Sequence, residues 1–139
     1  MTVYVVDSSV AVKWYVPEPG SGLASRLFDE AADLHAPDLL ASEFGNTLWK
    51  KAQRGELSGS EASSIVRALP LVPLELHSSL ALLEGALEIA VRTARTVYDC
   101  LYIALAVALD CRLITADRRL SNALKGSVLG PFIIHLSQL

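Results

Sequence analysis

Four acidic side chains in this sequence sit where acids are costly. Asp7, Glu43, Asp99 and Asp117 lie in or beside the apolar runs YVVDSSV, LLASEFGNTLW, TVYDCLYIALA and LITADRRL, whereas most of the 15 acidic residues occupy polar helix faces and turns. A carboxylate carried into apolar surroundings loses hydration that something must replace. Each has a local reading: Asp7, Asp99 and Asp117 as helix caps, Glu43 as an ordinary helical residue. Local roles do not explain why all four come from segments that an α/β sheet brings toward one edge. If they meet, repulsion must be relieved, because two carboxylates about 4 Å apart repel by roughly 4 kcal/mol at an effective dielectric near 20. Two acids can share a proton. Four of them suit a hard divalent cation with oxygen ligands, Mg2+ or Mn2+. Ser9, Thr115 and Asn46 stand two or three residues from Asp7, Asp117 and Glu43, placed to orient a carboxylate or a metal-bound water, although each also fits backbone capping or an exposed helix position.

The segments around these residues alternate between strand and helix patterns. A first strand is expected over about Thr2 to Val6, then a short helix from Ser8 or Ser9 through Trp14, a break at VPEPGSG, and a helix in LASRLFDEAAD. LHAP reads as a short strand or extended link. A helix runs from Asp38 to a stop at Gly55, and another opens at Ser58 or Ser60. LVPLELH reads as a strand whose Pro73 favours an edge. A long helix follows from Ser78 or Ser79 to about Thr93, then YDCLYIALAVALD, apolar nearly all round and so an interior helix. RLITAD is a strand ending in a carboxylate, RRLSNALKG a short helix, FIIHL a last strand. The pattern predicts one α/β domain over residues 1–139, with a mostly parallel sheet of about four to five strands and helices on both faces. Asp7 and Asp117 then fall where strands end and loops begin, the edge at which such sheets bind ligands.

Composition narrows the class without naming it. Of 139 residues 52% are hydrophobic, and mean hydropathy is +0.39, which suits a compact globule with apolar surface left for a partner. The longest apolar run, LYIALAVAL, is too short to cross a bilayer, and no secretory signal pattern opens the chain, so a cytoplasmic protein is expected. Cys100 and Cys111 have no metal-ligand spacing and read as buried free thiols. A formal net charge of -3 does not suggest nucleic acid, yet acids gathered around a metal lower the sum without repelling phosphate.

These blocks, in their order and spacing, resemble the PIN-domain family and its VapC-type toxins from prokaryotic toxin–antitoxin pairs. The resemblance covers VVDSSVAVKWYVPEPGS, PDLLASEFGNTLWK, TVYDCLYIALAVAL and LITADRRL, nearly the whole chain. It implies that Asp7, Glu43, Asp99 and Asp117 occupy the family's acidic metal-site positions and that Ser9 and Thr115 occupy its supporting hydroxyl positions. It also implies metal-dependent endonucleolytic cleavage of RNA, a cognate antitoxin as partner, and a homodimer. In that scheme Asp7, Asp99 and Asp117 hold metal and Glu43 is a further ligand or orients the attacking water. A mild departure is Gly45 within a helix, which weakens it by up to about 1 kcal/mol relative to alanine.

Lys13, Arg118 and Arg119 lie close in sequence to the acids, and Lys50, Lys51 and Arg54 continue the helix that carries Glu43; all are candidates for phosphate contact or plain solvated surface. Trp14, Tyr15 and Trp49 suit packing better than base stacking. His35, His77 and His135 are scattered in sequence and have no assigned role. Two competing functions remain. An acidic-site phosphatase or phosphotransferase of another α/β fold usually carries a second Asp two residues after the first, where this chain has Ser9. A catalytically silent PIN-like interaction module would have no need of four intact acids.

Overall fold

The computed structural model describes residues 2–139. In chain order the elements are β1 (Val3–Val6), α1 (Ser8–Ala11) continuing as a 3-10 turn over Val12–Trp14, α2 (Ser21–Asp29), β2 (Asp33–Pro37), α3 (Leu39–Gln53) and α4 (Gly59–Ala68). There follow β3 (Leu74–His77), α5 (Ser79–Thr93), α6 (Val97–Ala108), β4 (Arg112–Thr115), α7 (Arg118–Leu124) and β5 (Ile133–His135). The five strands form one sheet in the order β3-β2-β1-β4-β5. Every pairing is parallel, with Tyr4 opposite Leu34 on one side of β1 and Val5 opposite Leu113 on the other.

That order has a functional consequence. From β1 the chain winds outward through β2 to β3, then returns across the sheet to β4 and continues to β5, so the winding reverses between β1 and β4. Loops leaving the strand ends diverge at such a point and open a crevice. Right-handed crossovers, which parallel sheets adopt almost without exception, place α1–α4 on one face and α5–α7 on the other.

The interior helix expected from its all-round apolarity is α6, whose residues Cys100 to Ala106 are all buried and which lies against β1, β2, β4 and α5. α3 anchors itself through Leu40, Phe44 and Leu48 at spacings of four, one helical stripe. Glu43, one residue before Phe44, is thereby held at the rim of that buried stripe.

Helix ends follow their sequence signals with one instructive difference, at Asp38. Ser58 and Glu61 form a reciprocal capping box at α4, and Gly55 ends α3 with φ of 75°, a conformation glycine adopts without strain. Asp38 stands at the start of α3 without capping it; its Oδ1 accepts instead from Ser79 Oγ at 2.5 Å and Ser79 N at 3.2 Å, tying the starts of α3 and α5 together. Pro73 lies just before the edge strand β3, where its missing N–H removes no ladder bond. Both cysteines are free, Cys100 buried and Cys111 partly exposed.

Candidate active site

Asp7 leaves the end of β1 beside β4, its backbone N–H reaching Ile114 O at 3.4 Å. The side chain is buried and both oxygens are occupied. Oδ1 accepts from Ser9 Oγ at 2.5 Å and Val10 N at 3.2 Å, and Oδ2 accepts from Thr115 Oγ1 at 2.5 Å. The hydroxyls are themselves fixed: Ser9 Oγ accepts from Ala116 N at 3.0 Å and Thr115 Oγ1 from Asp117 N at 3.0 Å. With those backbone donors filling an acceptor site on each oxygen, the hydroxyl protons point at Asp7. One residue's cap on α1 is thus also the hub of a small network crossing from β1 to β4. Burial pushes the Asp7 carboxyl up to about 6; the bonds from Ser9, Thr115 and Val10 oppose that rise, and the Glu43 charge adds to it.

Glu43 enters from α3, half-buried, with Oε1 accepting from Tyr102 Oη at 2.5 Å. Desolvation raises its carboxyl, Tyr102 opposes this, and Asp99 raises it further. Tyr102 is buried in α6, and burial together with Glu43, Asp7 and Asp99 drives its phenol well above the ordinary range, so it remains a donor. Asp99 stands in the first turn of α6, which is capped by Thr96 and not by Asp99 itself, with Asp99 N donating to Thr96 Oγ1 at 3.1 Å. Its carboxyl is raised by desolvation first, lowered by Arg95 at 3.9 Å, and raised again by Asp117.

Asp117 caps α7, Oδ1 accepting from Arg119 N at 2.9 Å and Leu120 N at 3.3 Å. The local capping role and convergence on a common site are therefore not alternatives. Glu43 adds to the rise of Asp7, Asp99 to that of Glu43 and Asp117 to that of Asp99, so each of the first three acids has another within electrostatic reach. Among the described residues, no three of these acids bring carboxylate oxygens within 4.8 Å of one another.

The remaining residues singled out in the sequence divide. Ser9 and Thr115 touch Asp7, whereas Asn46 is exposed on α3. Lys13 is engaged by Glu18 Oε1 at 3.2 Å and Pro19 O at 2.8 Å, and Lys51 by Glu18 Oε2 at 3.0 Å. Arg118 and Arg119 are exposed directly after Asp117. Trp14 packs on Phe28 with centroids 4.6 Å apart and Tyr15 on Phe44 at 5.8 Å, while Trp49 is exposed.

Sequence reasoning missed three contributors. Tyr102 was hidden inside an apolar helix, and only its place one turn after Asp99 could have singled it out. Arg95 lies in the short link before α6; its Nε is buried without a hydrogen-bond partner. A cleft of about 450 Å3 lined by Arg112, Arg118, Lys125 and His135 runs beside α7 and β5; its cations are far apart in sequence and no local pattern gathers them.

Comparison with known proteins agrees with this geometry. The PIN domain family model matches residues 4–125. "Ribonuclease VapC3" of Pyrobaculum aerophilum is 41% identical over 120 residues, 85% of this chain and 92% of that protein. "Ribonuclease VapC9" of Mycobacterium tuberculosis is 35% identical over 118 residues, 85% and 88% of the two chains. Among solved structures, PAE2754 from Pyrobaculum aerophilum superposes with a TM-score of 0.72 at 25% identity, covering 99% of this chain and 85% of that one. Mycobacterium tuberculosis VapC20, described as a Sarcin-Ricin loop cleaving toxin, shares the fold with a TM-score of 0.66 at 19% identity, over 86% and 94% of the chains. With its acids arranged around the winding reversal of a five-stranded parallel sheet, this chain belongs to the PIN-domain family, among its VapC-type members.

Proposed function

We propose that this chain is a metal-dependent endoribonuclease, the toxin of a VapBC-type toxin–antitoxin pair, acting in the cytoplasm with residues 1–139 as one nuclease domain. The observation that carries this reading is the hydrogen-bonded arrangement at the reversal point of the sheet, where Thr115 Oγ1 joins the Asp7 carboxylate to the backbone of Asp117 and Tyr102, one turn after Asp99, holds Glu43. The donor set fits Mg2+ or Mn2+: all four are carboxylates, and Mg2+ keeps several waters while using one or two carboxylates, so a spacing wider than a tight ligand cage suits it. Asp7, Asp99 and Asp117 would hold the ion, with Glu43 beside it. When bound, such an ion supplies a neutralising charge for phosphate and a more acidic water.

The protein's own groups do the rest. Ser9 and Thr115 hold Asp7 in one orientation, and Arg95 holds Asp99. Tyr102 fixes Glu43 through Oε1, leaving Oε2 to accept the proton of the attacking water, a role suited to a carboxylate whose proton affinity is raised. Arg118, with Arg112 and Lys125 in the adjoining cleft, and Arg119 beside it would carry the RNA backbone. The site needs no protein nucleophile.

Two apolar surfaces fit the expected partners. α5 buries only Ala86 and exposes Leu80, Leu83, Leu87 and Val91, a stripe suited to a second copy. Trp49 and Val66 flank a groove between α3 and α4 suited to an apolar segment of the antitoxin. The decisive experiment incubates purified protein with single-stranded and structured RNAs in Mg2+, Mn2+ or EDTA, beside Asp7→Asn. Cleavage that needs the metal and the carboxylate is expected; cleavage indifferent to both would overturn the reading. Leu87→Glu with Val91→Glu is expected to shift light-scattering mass from dimer to monomer.

A further inference from the structure

The histidines that lacked a role in the sequence meet in a second polar cluster. β2 and β3 pair with His35 opposite Glu75 and Pro37 opposite His77, and strand alternation puts Asp33, His35, Glu75 and His77 on one face. His35 Nδ1 lies 2.9 Å from His77 Nε2 and 3.3 Å from Glu75 Oε2, and its Nε2 lies 3.0 Å from Asp33 Oδ2. One donor atom from each of His35, Glu75 and His77 falls within 4.8 Å of the other two. The cluster shares no hydrogen bond or ion pair with the four acids.

The proton count in this cluster does not close with neutral rings. A neutral His35 has one N–H. Directed to Asp33, it leaves the Nδ1 lone pair against the Glu75 carboxylate; directed to Glu75, it leaves the Nε2 lone pair against Asp33. An N–H from His77 fills one direction at Nδ1 and still leaves Glu75 facing electron density. A positive centre is called for, a second ring proton or a metal ion, and the convergence of one donor atom from each of His35, Glu75 and His77 favours the ion.

We propose that His35, His77 and Glu75 form a zinc-class transition-metal site, with Asp33 holding the far nitrogen of His35. Two imidazole nitrogens and one carboxylate oxygen are borderline donors that favour Zn2+ over Mg2+, and three protein ligands leave a fourth position for water. A carboxylate on the far nitrogen of a ligating histidine fixes its tautomer and ring orientation, and Asp33 is placed to do so here. The ion would staple the edge strand β3 to β2 directly below the start of α5, because His77 is followed at once by the Ser78 cap. This site does not depend on the nuclease reading.

The test uses the full chain stripped by chelator and titrated with Co2+ as a spectroscopic probe, then with Zn2+. Expected are the visible bands of four-coordinate cobalt, saturating at one equivalent, displaced by Zn2+ and indifferent to excess Mg2+. They should persist in Asp99→Asn and weaken at least tenfold in His77→Gln and in Glu75→Gln, with Asp33→Asn weakening binding by about 10–100-fold. Glu75 is exposed, so its variant folds, as circular dichroism will verify. Absence of cobalt bands, their loss in Asp99→Asn, or unchanged Zn2+ affinity in His77→Gln and Glu75→Gln would each overturn the site. Unchanged RNA cleavage by His77→Gln separates its failure from failure of the nuclease reading.

Discussion

The acids above β1 and β4 and the histidines between β2 and β3 occupy neighbouring strand pairs of one sheet, and each cluster gathers more charge or lone-pair density than its surroundings neutralise. They differ in what supports them. Around Asp7 and Glu43 the partners are neutral O–H groups of Ser9, Thr115 and Tyr102, which orient carboxylates without cancelling their charge. Around His35 the partners are carboxylates, which orient the ring and fix the tautomer of a nitrogen ligand. The first arrangement leaves net negative oxygen for a hard cation; the second prepares nitrogen for a softer one. Position separates them too. The acids stand where diverging loops admit a long substrate, whereas His35 is buried in the sheet beside an edge. Donor type sets the cation class, and place in the topology sets what can reach it.

The sharpest way to break this contrast is a double dissociation. Asp99→Asn is expected to lower RNA cleavage by roughly 10²–10³-fold, the scale on which removal of a charge-stabilising group acts, while leaving Co2+ binding at His35 intact. His77→Gln should do the reverse. Single-turnover cleavage and cobalt titration of both variants check it. If either substitution abolished both signals, the two clusters would be one coupled unit.

A second prediction concerns pH. The Asp7 carboxyl is raised from 3.8 to about 6, by burial above all. A carboxyl whose folded value exceeds its unfolded one binds its proton more tightly in the folded state. Its contribution to stability therefore falls as pH rises from about 4 to about 6 and levels off above. A rise of two units corresponds to about 3 kcal/mol. Urea unfolding in EDTA should show wild type losing stability relative to Asp7→Asn by up to that amount between pH 4 and 7. Mg2+ at pH 7 should restore the wild type and not the variant.

The two clusters also differ in how much of them the sequence made legible. The strand–helix alternation, the parallel sheet and the interior position of α6 were readable because each rests on a local signal, strand period or all-round apolarity, and the four acids stood out as carboxylates in apolar runs. Ser9 was readable because its partner Asp7 is two residues away; Thr115 reads beside Asp117, and its bond to Asp7 appears only once β1 pairs with β4. The histidine cluster was not readable, since His35 and His77 are 42 residues apart and only the parallel register of β2 with β3 makes them neighbours. Tyr102 was hidden for the opposite reason: its helix is so apolar that its aromatic ring reads as core, which it is, while its hydroxyl serves Glu43. The basic cleft depends on how α7 packs beside β4 and β5, a tertiary arrangement with no local pattern.

Thr115→Val tests the hydroxyl side of the contrast at a smaller scale. Valine keeps the buried shape but removes the donor to Asp7 Oδ2 and the acceptor for Asp117 N. Leaving such groups unsatisfied costs about 1–3 kcal/mol, and a loosened Asp7 should lower cleavage about tenfold. Denaturant midpoints and cleavage rates in Mg2+ measure the two effects. A variant as stable and as active as wild type would mean that the hydroxyl network is ornamental to both folding and catalysis.

The smallest expected effect is the most specific. Tyr102→Phe deletes one oxygen, leaves the ring packed, and removes the bond that opposes the rise of the Glu43 carboxyl. Net stability should change by about 1 kcal/mol, too little to diagnose anything. The pH–rate profile is more telling. With that donor gone, Glu43 holds its proton to higher pH, so the acidic limb of the cleavage profile should move upward while the plateau falls only severalfold. A purely structural tyrosine would lower the plateau and leave the limb in place. A shifted limb together with unchanged Co2+ binding at His35 would locate the effect in Glu43 and the acid pocket, and would identify Tyr102 as a positioning residue acting through a carboxylate.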